Sequence, residues 1–242
     1  MTQLDDKALP TNPEPTDVNA RKPVKNKYWQ RIIADRLDYA KRETDSLLQN
    51  PAIRSIMADY GYDDEKINSF VAIYNDAIIA QNRQQREFGD KVGASVEFDK
   101  LFSIAKMNFS TIRKITKIAL RDDAQKATQL GLYGQSSKSI GAIFDSMQTF
   151  YDNMIDDEQV CAKLAEFGFN RDKINKFRDN FIAARIKRNA FIKEDSEAVE
   201  ATRIRDEKMA ILDDWMMDYY TISKIAFAAR PELSEQPQVM VQ

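Results

Sequence analysis

The chain has 242 residues and no histidine. That absence removes Ser-His and Cys-His catalysis, histidine-mediated proton transfer, histidine-held haem and most zinc and di-iron sites. The single cysteine, Cys161, excludes an intrachain disulfide. It stands beside Val160 with only Lys163 as a nearby base, so it reads as a small half-buried side chain and not an activated thiol. Glycine and proline are scarce, seven of each, which leaves few places where a helix must stop. No uninterrupted apolar run approaches the roughly 18 residues of a membrane span. The opening Met1-Thr2-Gln3-Leu4-Asp5-Asp6 lacks the basic and apolar regions of a secretion signal. A cytoplasmic location is the default expectation. The net charge of −2 sets up no global field toward nucleic acid or anionic lipid.

What is present is a mixture of 43% apolar and 31% charged residues, suited to long helices covered by ion pairs. The most informative pattern is a repeat at an offset of 107. Tyr60-Gly61-Tyr62 returns as Phe167-Gly168-Phe169, and Ile115-Thr116-Lys117-Ile118-Ala119-Leu120 returns as Ile222-Ser223-Lys224-Ile225-Ala226-Phe227. Residues 28–120 align with 135–227 without a gap, and 21 of the 93 positions are identical. A period this long, held without insertion, points to a duplicated folding unit.

Apolar residues at helical spacing predict a first helix over 28–49 (Trp29, Ile32, Ile33, Leu37, Ala40, Thr44, Leu47, Leu48). Pro51 separates it from a short helix over about 52–60. Gly61 then fits a left-handed C′ position, with Met57 and Tyr62 as the contact pair of a Schellman motif; Gly168, Leu164 and Phe169 repeat it. Asp63 and Asn170 suit the next N-caps. A helix over 64–90, a break at Gly89 and Gly93, and a helix over 95–121 complete the first unit. The second unit reads as helices over 137–156, 158–167, 170–197 and 198–229.

The expected fold is therefore all-α: an internally duplicated antiparallel up-down bundle, with two similar units of three long helices and one short one. Its expected organisation is a disordered arm over 1–26, a first unit over 27–121, a linker over 122–135, a second unit over 136–229 and a flexible tail over 230–242. Whether the units keep separate cores or share one stays open at this point.

No catalytic or cofactor-binding residue is expected, and no cofactor. An all-oxygen metal site is possible in principle. Asp214 and Asp218 are its weak candidates, since a spacing of four places both carboxylates on one helix face. Asp152, Asp156, Asp157 and Glu158 form a second acidic set. Trp215, Met216, Tyr219 and Ile222 take the expected core face, so a solvated acidic face is the simpler reading. Basic clusters occur at Arg113, Lys114, Lys117 and Arg121, and at Arg185, Lys187, Arg188 and Lys193. A run from Arg21 to Arg31 ends the arm. None makes the basic stripe of a nucleic-acid domain. Asn68 and Asn82, two heptads apart, return as Asn175 and Asn189, and are the candidates for polar contacts across an interface.

These features favour a non-enzymatic helical scaffold or adaptor, working through contacts with a protein partner or a second copy of itself. One alternative is an enzyme or ligand carrier with a carboxylate-based, metal-binding site inside a bundle. Another is a peripheral membrane or nucleic-acid binder acting through basic helix faces such as 185–193. Nucleic acid is not an expected partner, no transmembrane segment is expected, and a small-molecule ligand is left undefined.

Overall fold

A computed structural model describes residues 32–133 and 139–228. The expected arm, the basic run from Arg21 to Arg31, the end of the linker and the tail lie outside these residues. The described residues form seven helices and no strand: α1 (Ile33–Gln49), α2 (Pro51–Ala58), α3 (Asp64–Ala119), α4 (Ala124–Gln129), α5 (Ile140–Ile155), α6 (Glu158–Ala165) and α7 (Arg171–Ala226).

Local chemistry sets the boundaries. The Asn50 side chain accepts from the N–H groups of Ala52 and Ile53, and Pro51 occupies the first turn of α2, where it needs no donor. Gly61 at φ 83° and Gly168 at φ 76° take the left-handed conformation. The Tyr62 and Phe169 N–H groups reach back to the carbonyls of Met57 and Leu164, both at 3.0 Å. This is the Schellman arrangement expected from sequence. Asp63 caps α3 at 2.9 Å from the Lys66 N–H, and Asn170 caps α7 at 3.0 Å from the Lys173 N–H.

The expected break at Gly89 and Gly93 is absent. Residues 64–119 form one helix of 56 residues, and 171–226 form another. Each is about 84 Å long at 1.5 Å per residue. Each unit thus contributes one long helix where the sequence predicted two, and the three-long-helix unit is corrected. The physical reason is the modest cost of an interior glycine, roughly 1 kcal/mol relative to alanine, set against the continuous pairing of α3 with α7. The segment 122–135 also holds an unpredicted helix, α4. It is capped by Asp123 and closed by Gly131 at φ 62°.

α3 and α7 run antiparallel. Asp76 pairs with Lys208 at 2.7 Å, Lys91 with Asp195 at 2.6 Å and Glu97 with Lys187 at 2.5 Å, so numbers fall on one helix as they rise on the other. Buried Phe70, Ala77, Phe98, Ala105 and Ile112 of α3 are spaced by multiples of seven. On α7 the same holds for Ile174, Phe181, Met209 and Met216. A strict seven-residue repeat keeps two long helices in register as they wind around each other.

Two hydrophobic clusters sit toward the two ends of this pair. One joins α1, α2, the start of α3 and the end of α7, with Phe70 stacked on Trp215 at 3.6 Å. The other joins α4, α5, α6, the end of α3 and the start of α7, around Phe98, Phe144, Tyr151 and Phe181. Each core draws on both halves of the chain, so packing does not follow the division at 122–135. Between them lies a waist. There α3 buries nothing from Gln81 to Glu97, and α7 buries only Ala198 and Ala201 between Ala184 and Met209.

Candidate functional site

The cluster that contains α1 carries a buried polar group. Glu43 lies on α1 three residues after Ala40 and four before Leu47, on the face that packs inward. It is 3% exposed, and Asp213 on α7 is 6% exposed; they are the buried carboxylates among the described residues. The Tyr39 and Tyr219 hydroxyls donate to Glu43, whereas its Oε1 is sealed without a hydrogen-bond partner. Burial raises the Glu43 carboxyl above its ordinary value, and the tyrosine bonds and the Arg42 charge offset this only in part. Tyr219 is held well above the usual phenol range, first by burial and then by the Glu43 charge. Tyr62, which meets Tyr219 edge-on at 5.6 Å, is pushed up to about 12 by burial and the Asp218 charge. On the same side of α1, Arg36 pairs with Asp213, its Nε donating to Oδ1 at 3.1 Å.

The opposite end lacks this chemistry. At an offset of 107, Glu43 corresponds to Phe150, Tyr219 to Ile112, Tyr39 to Ser146, Arg36 to Ile143 and Asp213 to Lys106. Phe150 and Ile112 are fully buried in the second cluster. Among the described residues one end therefore buries no carboxylate, although it encloses the Tyr151 hydroxyl without a partner, and the other holds a carboxylate among phenols. At the latter end Glu43 and Asp213 are enclosed with their partners in a buried polar network.

The tips of the long pair present apolar side chains instead. Because α3 and α7 are antiparallel, the turn before α3 meets the end of α7, and the turn before α7 meets the end of α3. Tyr60 (45% exposed) and Ile225 (56%) occupy one tip; Phe167 (46%) and Ile118 (54%) occupy the other. Each tip thus shows one aromatic and one isoleucine to solvent, drawn from equivalent positions.

The residues singled out from sequence are spread over the surface. Asp214 and Asp218 are exposed on α7, and the residue beside them, Asp213, is the one turned inward. Its position four after Met209 and three before Met216 was the available signal. Asn68, Asn82, Asn175 and Asn189 are all exposed and are not brought together; the buried asparagine is Asn108. Lys117 and Lys224 are exposed too, and the Lys224 ammonium lies 4.2 Å from the Tyr220 ring centre. The basic stretch 185–193 is largely engaged within the chain: Arg185 with Gln148 at 2.6 Å, Lys187 with Glu97, Lys193 with Glu194 and Glu197. Arg113 likewise donates to the carbonyls of Gly131 and Leu132. Burial raises the Cys161 thiol, whose Sγ faces the Met154 carbonyl at 3.4 Å.

Two further features could hold a ligand. An open groove of about 880 Å³ between α4 and α6 is lined by Lys126, Gln129, Asn153, Asp156, Asp157 and neighbours. Lys126 spans it, donating to both Asp157 oxygens at 2.9 and 2.7 Å, which holds that carboxyl below its ordinary value. At the waist, carboxylate oxygens of Glu87, Glu194 and Glu197 lie within 4.8 Å of one another. Arg83 stands 3.6 Å from Glu87, and Lys193 stands 3.3 and 2.8 Å from Glu194 and Glu197, so the chain's own bases pair with all three carboxylates and offset two of the three charges.

The fold defines an all-α protein built on an antiparallel pair of 56-residue helices, and no helix among the described residues is long and apolar enough to cross a membrane. Comparison with protein-family models, with curated proteins and with solved structures gives no match.

Proposed function

We propose that this protein is a non-enzymatic helical scaffold that holds two protein partners apart, one at each tip of the α3–α7 pair. The observation that carries the reading is the equivalence of the tips: Tyr60 with Ile225 at one, Phe167 with Ile118 at the other, all exposed. Exposed apolar side chains on a polar helical surface are the usual anchors of protein contacts. A rigid pair about 84 Å long separates the two surfaces by more than the width of a typical domain.

In this reading the chain arose by copying one helical segment, and the two copies pair through their long helices. The helix bounds support it. α2 and α3 begin and end at 51, 58, 64 and 119; adding 107 yields 158, 165, 171 and 226, the bounds of α6 and α7. Copying produces two docking surfaces of one kind, and the divergence of the cores behind them allows the partners to differ.

The test is affinity capture followed by mass spectrometry, comparing the full chain with two paired variants, Tyr60→Asp/Ile225→Asp and Phe167→Asp/Ile118→Asp. Each pair of charges removes one apolar anchor set, and the expected loss is about tenfold or more for the partner of that tip alone. A set of captured proteins that is the same for the full chain and for both variants overturns the reading.

A further inference from the structure

The two tips of the α3–α7 pair carry like anchors but opposite charge. Around Tyr60 and Ile225, residues 54–66 and 218–228 hold five acids and three bases, a net of −2. The equivalent residues around Phe167 and Ile118, 161–173 and 111–121, hold two acids and seven bases, a net of +5. A few positions make the difference. Asp63, Asp64 and Asp218 stand at the first tip where Asn170, Arg171 and Thr111 stand at the second. Thr221 and Ala228 stand where Lys114 and Arg121 do. All six charged members of this set are exposed. Among the described residues Asp59, Asp63, Glu65 and Asp218 form no ion pair, and neither do Lys114, Lys117, Arg171 and Lys173. The asymmetry continues behind the tips. Residues 32–80 with 205–228 hold fourteen acids and eight bases, whereas 98–133 with 139–188 hold eleven acids and fifteen bases. The rod is thus negative at one end and positive at the other, although the whole chain carries only −2.

We infer that the partner of each tip is the opposite tip of a second copy of this chain, so that copies join head to tail. The inference rests on the reading of the tips as docking surfaces and names what docks there. The anchors supply the affinity: Tyr60 and Ile225 of one copy meet Phe167 and Ile118 of the next. The charges choose the pairing. Unlike tips attract and like tips repel, which disfavours the contact of a tip with its own kind. A contact between two different surfaces leaves one of each kind open, so it propagates. A rod about 84 Å long that touches its neighbours only at its tips continues as an open row of copies. Each tip is narrow beside a standard stable interface, and its charges are exposed to screening. The row therefore lengthens with protein concentration and shortens with salt.

The experiment is sedimentation velocity of the full chain from the tens to the hundreds of micromolar, at low and at high salt. Two variants each block one tip: Tyr60→Arg/Ile225→Arg puts bases where the basic tip would dock, and Phe167→Asp/Ile118→Asp puts acids where the acidic tip would dock. All four positions are exposed, so both variants keep the melting temperature of the parent. The expected parent shows a mean mass that rises with concentration without levelling at two copies. Each blocked variant alone is a monomer. Mixed in equal amounts they form a one-to-one pair and nothing larger, because each supplies the tip that the other lacks. Lys114→Glu/Arg171→Glu leaves every anchor in place and weakens the association by about tenfold. A parent that is monomeric throughout, that levels at a dimer or that assembles equally well at high salt overturns the inference. So does a mixture of the two blocked variants that stays monomeric. A monomeric parent whose tip variants still lose captured proteins of another kind overturns only the head-to-tail contact. Tip variants that change neither self-association nor the captured set overturn the scaffold reading as well.

Discussion

Asp213→Ala destabilises the protein by about 3–5 kcal/mol, the usual loss when one partner of a buried ion pair is removed. Asp214→Ala and Asp218→Ala each change stability by less than about 0.5 kcal/mol, as expected for exposed positions away from special features. The contrast follows from geometry. The Arg36 and Asp213 side chains are 16% and 9% exposed, so the carboxylate and guanidinium have both left water to meet between α1 and α7. Removing the carboxylate leaves the guanidinium desolvated without its counter-charge. The loss is local to one end, because Ile143 and Lys106 replace this pair at the other. Urea unfolding near neutral pH, with the slope checked for constancy, measures all three variants. A cost for Asp213→Ala no larger than that of its two neighbours contradicts the assignment.

Glu43→Gln is the second large effect, and its sign is unusual: the variant is more stable than the parent at alkaline pH. The carboxyl is buried, with one oxygen unsatisfied, and its folded-state pKa is raised. The folded protein therefore binds the Glu43 proton more tightly than the unfolded chain does. Its contribution is fully present below the unfolded value of about 4.3 and is lost as pH rises through the raised folded value. Glutamine keeps an acceptor for the Tyr39 and Tyr219 hydroxyls without the charge. The expected gain is on the order of 1–3 kcal/mol at pH 8, the desolvation cost of the charge that the amide lacks, shrinking toward pH 4. The groups that face Glu43 are Tyr39 and Arg42 on its own helix and Tyr219 on α7. Urea midpoints from about pH 4 to 8 test the trend. A gain that does not vary with pH, or a loss that grows toward pH 8, contradicts it.

Much of the local structure is legible in the sequence. The Gly61 and Gly168 stops and the Asp63 and Asn170 caps each depend on residues adjacent in the chain, and each is found where it was expected. The continuity of α3 and α7 is not legible, because it depends on a partner more than 100 residues away. Gln84 and Lys91 fall on the seam at the waist and interrupt the apolar stripe. Beside two glycines, that interruption looks like the end of a helix. Lys91 is accommodated there because Asp195 reaches it from α7 at 2.6 Å. The inward-facing acids were hidden for a similar reason. A charged residue next to an apolar position reads as solvated, and only the second helix shows that Glu43 and Asp213 are enclosed. The tips are not legible in the sequence, because Tyr60 with Ile225, and Phe167 with Ile118, are joined only by the antiparallel arrangement.

That arrangement stands or falls with the unbroken course of α3. Spin labels on cysteines introduced at the exposed positions Ser69 and Ser110, with Cys161→Ser as background and excess unlabelled chain to suppress contacts between copies, measure it by double electron–electron resonance. Forty-one residues of continuous helix place the labels about 62 Å apart. A separation of roughly 10–20 Å, as two antiparallel helices folded back at Gly89–Gly93 would produce, contradicts the account.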